Sequence, residues 1–468
     1  MTKKAFQYDM QRGLGSCVAA LKNMQDTEKE KFQPVVLWGC ARDLAYDAQS
    51  EGSRSVYLYE LIAEFPDATP FIDVIEKRLF RCMHLSGWEF VQDCELLAYF
   101  VSDGIRRAWH ILMRCYDQML GILAGKRGCA EYGQMSERNN FDLLCASLVS
   151  LCFGDRKRRM KLYRKVVSDL GALAEGNEWF DAGDFYWFQT VCEDCLGKKT
   201  VHRLLHRADA DVCTMTYARL METYQDTWEQ VAKEQRRKEP ETAESLYKLM
   251  QNGEKVGKMW TPILVRRWLN QGKEQEALQL AAYYREEKDV EIRFQLLRLL
   301  ANKACAQLLD LECLFKDSKS EHVELSKWAF EALGHRKDTR VREYALELLH
   351  EGVYTVGAVS MLAKNYEACD RALFVRAVKQ IPVTYEDGGW HGAFGDVLDL
   401  FEVPGRGKPN ELLLYMYRNT LCSFCREYAV REMGRRRMLT RELLEEMRYD
   451  CNKDIRKYAD RKLTRMGI

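Results

Sequence analysis

A twelve-residue pattern that returns at widely spaced points constrains this 468-residue chain more than any other feature of it. Asp338 to Leu349 reads DTRVREYALELL. Asp338 is the kind of residue that caps a helix, because its short side-chain oxygen accepts from the unpaired backbone N–H groups of the first turn. Val341, Ala345, Leu348 and Leu349 then recur at helical spacing and form one narrow apolar stripe, with Arg342 beside its first member. Ala345 sits in mid-stripe and leaves room for a neighbouring helix to approach closely. The same register returns from Asp289, DVEIRFQLLRLL, with Ile292, Arg293 and Leu296 in place. It returns from Cys422, CSFCREYAVREM, with Cys425, Arg426, Ala429 and Met433. It returns again from Asn452, NKDIRKYADRKL, with Ile455, Arg456, Ala459 and Leu463. A weaker copy starts at Asp209, where Cys213 replaces the arginine.

This pattern resembles the second helix of a HEAT repeat. The resemblance implies an all-α fold, a right-handed α–α superhelix of antiparallel helix pairs whose inner surface binds partner proteins. It also implies structural roles for Asp289 with Arg293 and for Asp338 with Arg342, paired along the stack. Ala345, Arg426, Ala429, Arg456 and Ala459 hold the equivalent repeat positions. The resemblance is carried by residues 262–468. At about 40 residues per repeat, the chain has room for on the order of ten helix pairs. Residues 1–225 read as degenerate helical repeats, 226–261 as a polar hinge around Pro240, and 262–468 as the clearer repeats. A stretch at 382–410 interrupts the last part. It holds three of the eight prolines and six glycines, and it reads as an irregular insertion.

Composition limits the function classes. Lys and Arg total 71 against 70 for Asp and Glu, so the whole chain does not steer toward nucleic acid or an anionic membrane. Seventeen cysteines is an odd number, which argues against a complete disulfide framework. With no secretory h-region at the start, reduced thiols and a cytoplasmic location are expected. FDLLCASLVSLCF, from Phe141, is too short to span a bilayer and is expected to be a helix buried between neighbours.

Several clusters could carry chemistry. Cys192, Cys195, His202 and His206 supply the ligand types that zinc takes, although the spacing between the pairs is short for a finger. Against zinc stands the simpler reading, a helix end and the turn that follows it. Cys422 and Cys425 form a second C-x-x-C, but Cys425 falls on an apolar position of the repeat. Gly405 to Pro409, GRGKP, lacks the ending of a phosphate loop. Trp390, His391 and Phe394 on the insertion are a candidate binding group. Basic runs that include Arg158 and Arg159, and Arg435, Arg436 and Arg437, could track phosphates or simply form solvated helix faces.

The resemblance also reaches some enzymes. Deoxyhypusine hydroxylases use repeated His-Glu pairs as iron ligands, and this chain has one, His350-Glu351. Alkylpurine DNA glycosylases of this kind set an aspartate among tryptophans, for which Trp179, Asp181, Asp184 and Trp187 are the counterpart here. Phycobilin lyases share the repeat, with no discriminating residue either way. The reading carried forward is a non-catalytic scaffold for another protein or peptide, with no cofactor, no metal and no membrane. Nucleic-acid binding, with base excision as its enzymatic form, is the alternative.

Overall fold

The structure is a computed structural model that describes residues 1–85, 87–125, 134–177, 180–237, 242–253, 261–352, 355–386, 388–402 and 407–467. Among the described residues there are 28 α-helices, three short 3-10 helices and no strand. No described helix is long and apolar enough to cross a membrane. The chain divides into two compact units. The first holds Met1–Glu234, Leu421–Phe424 and Thr440–Ile468; the second holds Gln235–Thr420 and Cys425–Leu439.

In the first unit, α1 (Gly87–Ser102), α2 (Gln134–Leu151), α3 (Arg156–Gly176) and α4 (Tyr186–Leu196) make the centre. Helix α2 packs on α1, α3 and α4. Its run from Phe141 to Val149 includes Phe141, Leu144, Cys145, Leu148 and Val149, all fully buried. The expected buried helix is therefore present, because a helix apolar on nearly every side needs neighbours on nearly every side.

In the second unit, α5 (Val290–Leu300), α6 (Val323–Gly334), α7 (Thr339–Glu351), α8 (Thr355–Lys364) and α9 (Gly389–Glu402) follow in order. Alternate helices stack in a row, α5 on α6, α6 on α8 and α8 on α9, with α7 against α8. Two further helices, α10 (Ser423–Arg435) and α11 (Lys453–Arg465), carry the last two copies of the pattern.

The pattern residues take distinct roles. Asp289 accepts from the backbone N–H of Glu291 and Ile292, Asp338 from that of Arg340, and Asn452 from those of Asp454 and Ile455. The stripe residues Ala345, Ala429 and Ala459 are fully buried. The arginines pair elsewhere than with the caps. Arg293 bonds Asp317 at 2.5 Å, and Arg342 bonds Asp370 at 2.6 and 3.1 Å. The cap carboxylates are already engaged by their own first turns, so each arginine reaches an aspartate 24 or 28 residues further on. Asp317 also accepts from the Tyr284 hydroxyl at 2.6 Å, while Arg293 donates to the carbonyls of Tyr284 and Glu287. Both charges of that pair are nearly buried and well bonded, the condition under which a buried ion pair is tolerated. Arg426 is fully buried on α10, and Arg456 of α11 pairs with Glu60.

Two expectations need correction. The stretch 382–410 is not irregular through its middle, since α9 occupies Gly389–Glu402. Trp390, Ala393, Phe394, Val397, Leu398 and Phe401 recur at helical spacing and are all buried, which offsets the cost of the helix glycines. The polar stretch 226–261 begins inside a helix, Val212–Arg237, and contains a second, Ala243–Gln251, capped by Thr242. Residues 238–241, Pro240 among them, and 254–260 lie outside the described residues.

Candidate functional site

A concavity of the second unit opens where its helices end. It has a volume of about 900 Å³. One wall is the turn between α6 and α7, with His335, Lys337 and Asp338. The end of α8 adds Ser360, Lys364 and Asn365, and α9 supplies the far wall with Asp396, Asp399 and Glu402.

Asn365 fixes the near wall. Its Oδ1 accepts from the Asp338 backbone N–H at 2.9 Å, and its Nδ2 donates to the carbonyls of Arg336 and Met361, each at 2.9 Å. A single amide thus ties the α6–α7 turn to the last turn of α8, partnering the Asp338 N–H and the Arg336 carbonyl of that turn. Below it, Arg342 clamps Asp370 and reaches Glu367 at 3.2 Å. On the far side Lys303 pairs with Asp399 at 3.2 Å, Lys408 donates to the Leu400 carbonyl, and Glu402 accepts from Tyr428.

Charged side chains of both signs line the groove. Lys337 and Lys364 are exposed and form no ion pair among the described residues. Asp396 is half-buried on the α9 wall, and its carboxyl is pushed up to about 6. Desolvation is the main cause. The Ser360 hydroxyl works against the shift, Glu331 and Asp399 add to it, and His335 opposes it.

The residues singled out from sequence fall elsewhere. Trp390 and Phe394 are not an exposed binding group: both are buried in the core of α9, and the Trp390 Nε1–H donates to the Thr384 carbonyl at 2.8 Å. His391 lies with its Nδ1 3.9 Å from the Cys425 Sγ. Arg435 and Arg436 are held by the buried carboxylate of Glu432, and Arg436 also donates to the Phe401 carbonyl at 2.9 Å. Two of that basic triplet thus share one carboxylate, and Arg437 follows in a left-handed backbone conformation, φ 57°. In the other basic run, Arg159 donates to the Phe153 carbonyl and Arg158 lies 5.6 Å over the Phe153 ring. Lys157, Lys161 and Arg164 stay exposed along one side of α3.

The Cys192 cluster does not assemble. Among the described residues its four donors are not brought within coordinating reach of one another. His202 and His206 stack at 4.3 Å and line a pocket of about 110 Å³ with Glu193 and Glu222, a pocket that neither cysteine lines. Cys192 is buried, and burial raises its thiol. Cys195 is half-buried and lowered to about 7, first by the hydrogen bond with Cys192 and also by Arg159. Every described cysteine is a free thiol. Of the glycosylase-like group, Trp179 lies outside the described residues, Asp181 caps a 3-10 turn, Asp184 pairs with Arg138 at 2.6 Å, and Trp187 is exposed. His350 and Glu351 end α7.

Sequence reasoning missed the groove because its lining comes from five separate segments. The signal it did contain was the charged turn before Asp338, GHRK, which supplies His335 and Lys337. Comparison of the chain with protein-family models and with curated proteins finds no match.

Proposed function

We propose that this protein is a non-catalytic scaffold that binds a peptide segment of another protein, and that the groove between the α6–α7 turn and α9 is where it does so. The observation that carries this reading is the groove itself: about 900 Å³, open, and lined by both lysines and carboxylates. That volume lies in the range of ligand-binding clefts. The lining is too charged for an apolar small molecule and suits an extended chain carrying both signs of charge. The row of alternately stacked helices, the aspartate and asparagine caps and the Arg293–Asp317 and Arg342–Asp370 pairs support a HEAT-type superhelix, whose inner surface takes partner proteins. The binding is to a cytoplasmic partner and requires no cofactor.

The experiment is to pass the full-length protein over an immobilised library of short amidated peptides of mixed, acidic, basic and neutral composition. A second protein, carrying Lys364→Glu and Asp399→Lys, is run beside it. Mixed-charge peptides are expected to be retained by the natural sequence, with retention falling at least tenfold in the doubly reversed variant. No retention of any peptide by the natural sequence, or retention untouched by reversing both walls, overturns the reading.

A further inference from the structure

The charges around Asp396 do not balance, and the imbalance points into the groove. Lys303 lies nearby but pairs with Asp399 at 3.2 Å. The His335 ring lies nearby, with its Nε2 3.4 Å from a Glu331 carboxylate oxygen. Lys408 donates to the Leu400 carbonyl. Lys364 lines the groove from α8 and forms no ion pair with Asp396 among the described residues. Asp396 takes no ion pair among the described residues, and two further carboxylates, Glu331 and Asp399, act on it. A carboxylate that is half removed from water, crowded by like charge and still open to a groove is short of one cation.

We propose that Asp396 is the specificity-determining anchor of the groove, and that it takes a lysine or arginine side chain of the bound segment while Lys337 and Lys364 take an acidic group of the same segment. This rests on the groove being a peptide site. The bound cation replaces solvent at Asp396 and relieves the repulsion from Glu331 and Asp399, so recognition there gains from the same burial that disfavours the empty carboxylate. An acidic or neutral side chain in that position leaves the repulsion in place, which gives selectivity as well as affinity.

Asp396 must be ionised to hold the cation. Its carboxyl titrates at about 6 in the unliganded protein. Preference for a basic residue is therefore full above pH 7 and falls about tenfold by pH 5, where only about a tenth of the carboxyl is ionised.

The test is a positional-scanning library of amidated peptides, applied at pH 7.5 and pH 5 to the full-length protein and to Asp396→Asn. The amide keeps the size of the side chain and removes its charge. The natural sequence is expected to select Lys or Arg at one fixed position at pH 7.5 and to lose about tenfold of that preference at pH 5. Asp396→Asn is expected to bind peptides of acidic composition as before, with the basic preference gone at both pH values. If the preference persists in Asp396→Asn, or if peptides bind with no position favouring a basic residue, the anchor assignment is wrong and the peptide site stands. If no peptide binds at all, the groove reading falls and this assignment with it. Should Asp396→Asn fail to fold, the natural sequence still decides: a basic preference unchanged between pH 5 and 7.5 overturns the assignment.

Discussion

Asp142 shows how much a single buried carboxyl can govern. It lies inside the apolar run of α2, 6% exposed, and its one strong partner is the backbone N–H of Phe188 at 2.8 Å. Burial pushes its carboxyl up to about 8, and Asp184 adds to the shift. The unfolded value is near 3.9, so between about pH 4 and pH 8 the folded state holds a proton that the unfolded state lacks. Its contribution to stability is present below pH 4 and is lost as pH rises through 8. Asp142→Asn keeps the acceptor for Phe188 and removes the titration. Denaturant unfolding of both proteins from pH 5 to pH 9 is expected to show a difference that grows in favour of the variant up to about pH 8, by on the order of 4 kcal/mol, and then levels off. A difference that stays constant across that range would show that Asp142 does not titrate there. The sequence displayed the buried helix clearly, because an apolar run has a local signature. It could not display the Phe188 partner, 46 residues on, and for the same reason it left the Arg342–Asp370 pair and the Asp396 environment unread.

At the scale of elements, the caps and stripes were legible because they are chemistry between residues two to four apart. Asp289, Asp338 and Asn452 cap the helices they were expected to cap. Helix α9 was misread for a local reason too: its glycines and the flanking prolines weighed more than a stripe from Trp390 to Phe401 that is plainly helical. Glu432 stands three and four residues before Arg435 and Arg436, a spacing that already marks ion pairs along one helix face. Close approach of helices leaves a fainter trace, a lone glycine. Gly171 on α3 meets the backbone carbonyl of Cys213, and a Cβ built there would lie 1.8 Å from that oxygen. The obstacle is backbone, which cannot rotate aside as a side chain can. Gly171→Ala is therefore expected to destabilise the first unit by about 3 kcal/mol, overriding the gain in helix propensity. Thermal unfolding followed by circular dichroism should show a fall of several degrees. A midpoint equal to or above that of the natural sequence would mean that the two segments do not pack this closely.

At the scale of the whole molecule, the first unit is closed by segments from far apart in the chain. The Cys451 backbone N–H donates to the Gly13 carbonyl at 2.8 Å, Arg456 pairs with Glu60, and Lys22 lies 5.1 Å over the Tyr449 ring. Gly15 packs so closely on Glu446 that a Cβ there would lie 1.9 Å from its carbonyl oxygen. Local patterning carries no record of such closure, since neither partner's sequence depends on the other's position. It has a consequence for local stability, because protection from exchange follows the packing that holds each helix. In a chain that ends at Leu439, residues 3–22 lose the Gly13 and Gly15 contacts and residues 55–62 lose the Arg456 pair. Hydrogen exchange read by mass spectrometry is expected to speed up at least tenfold in both segments. Exchange in residues 323–364, which the second unit holds by its own stacking, should not change. Unaltered protection at residues 3–22 would mean that the contacts of 440–468 do not hold the first unit together. Uniform loss across both units would mean that their stabilities are not separable.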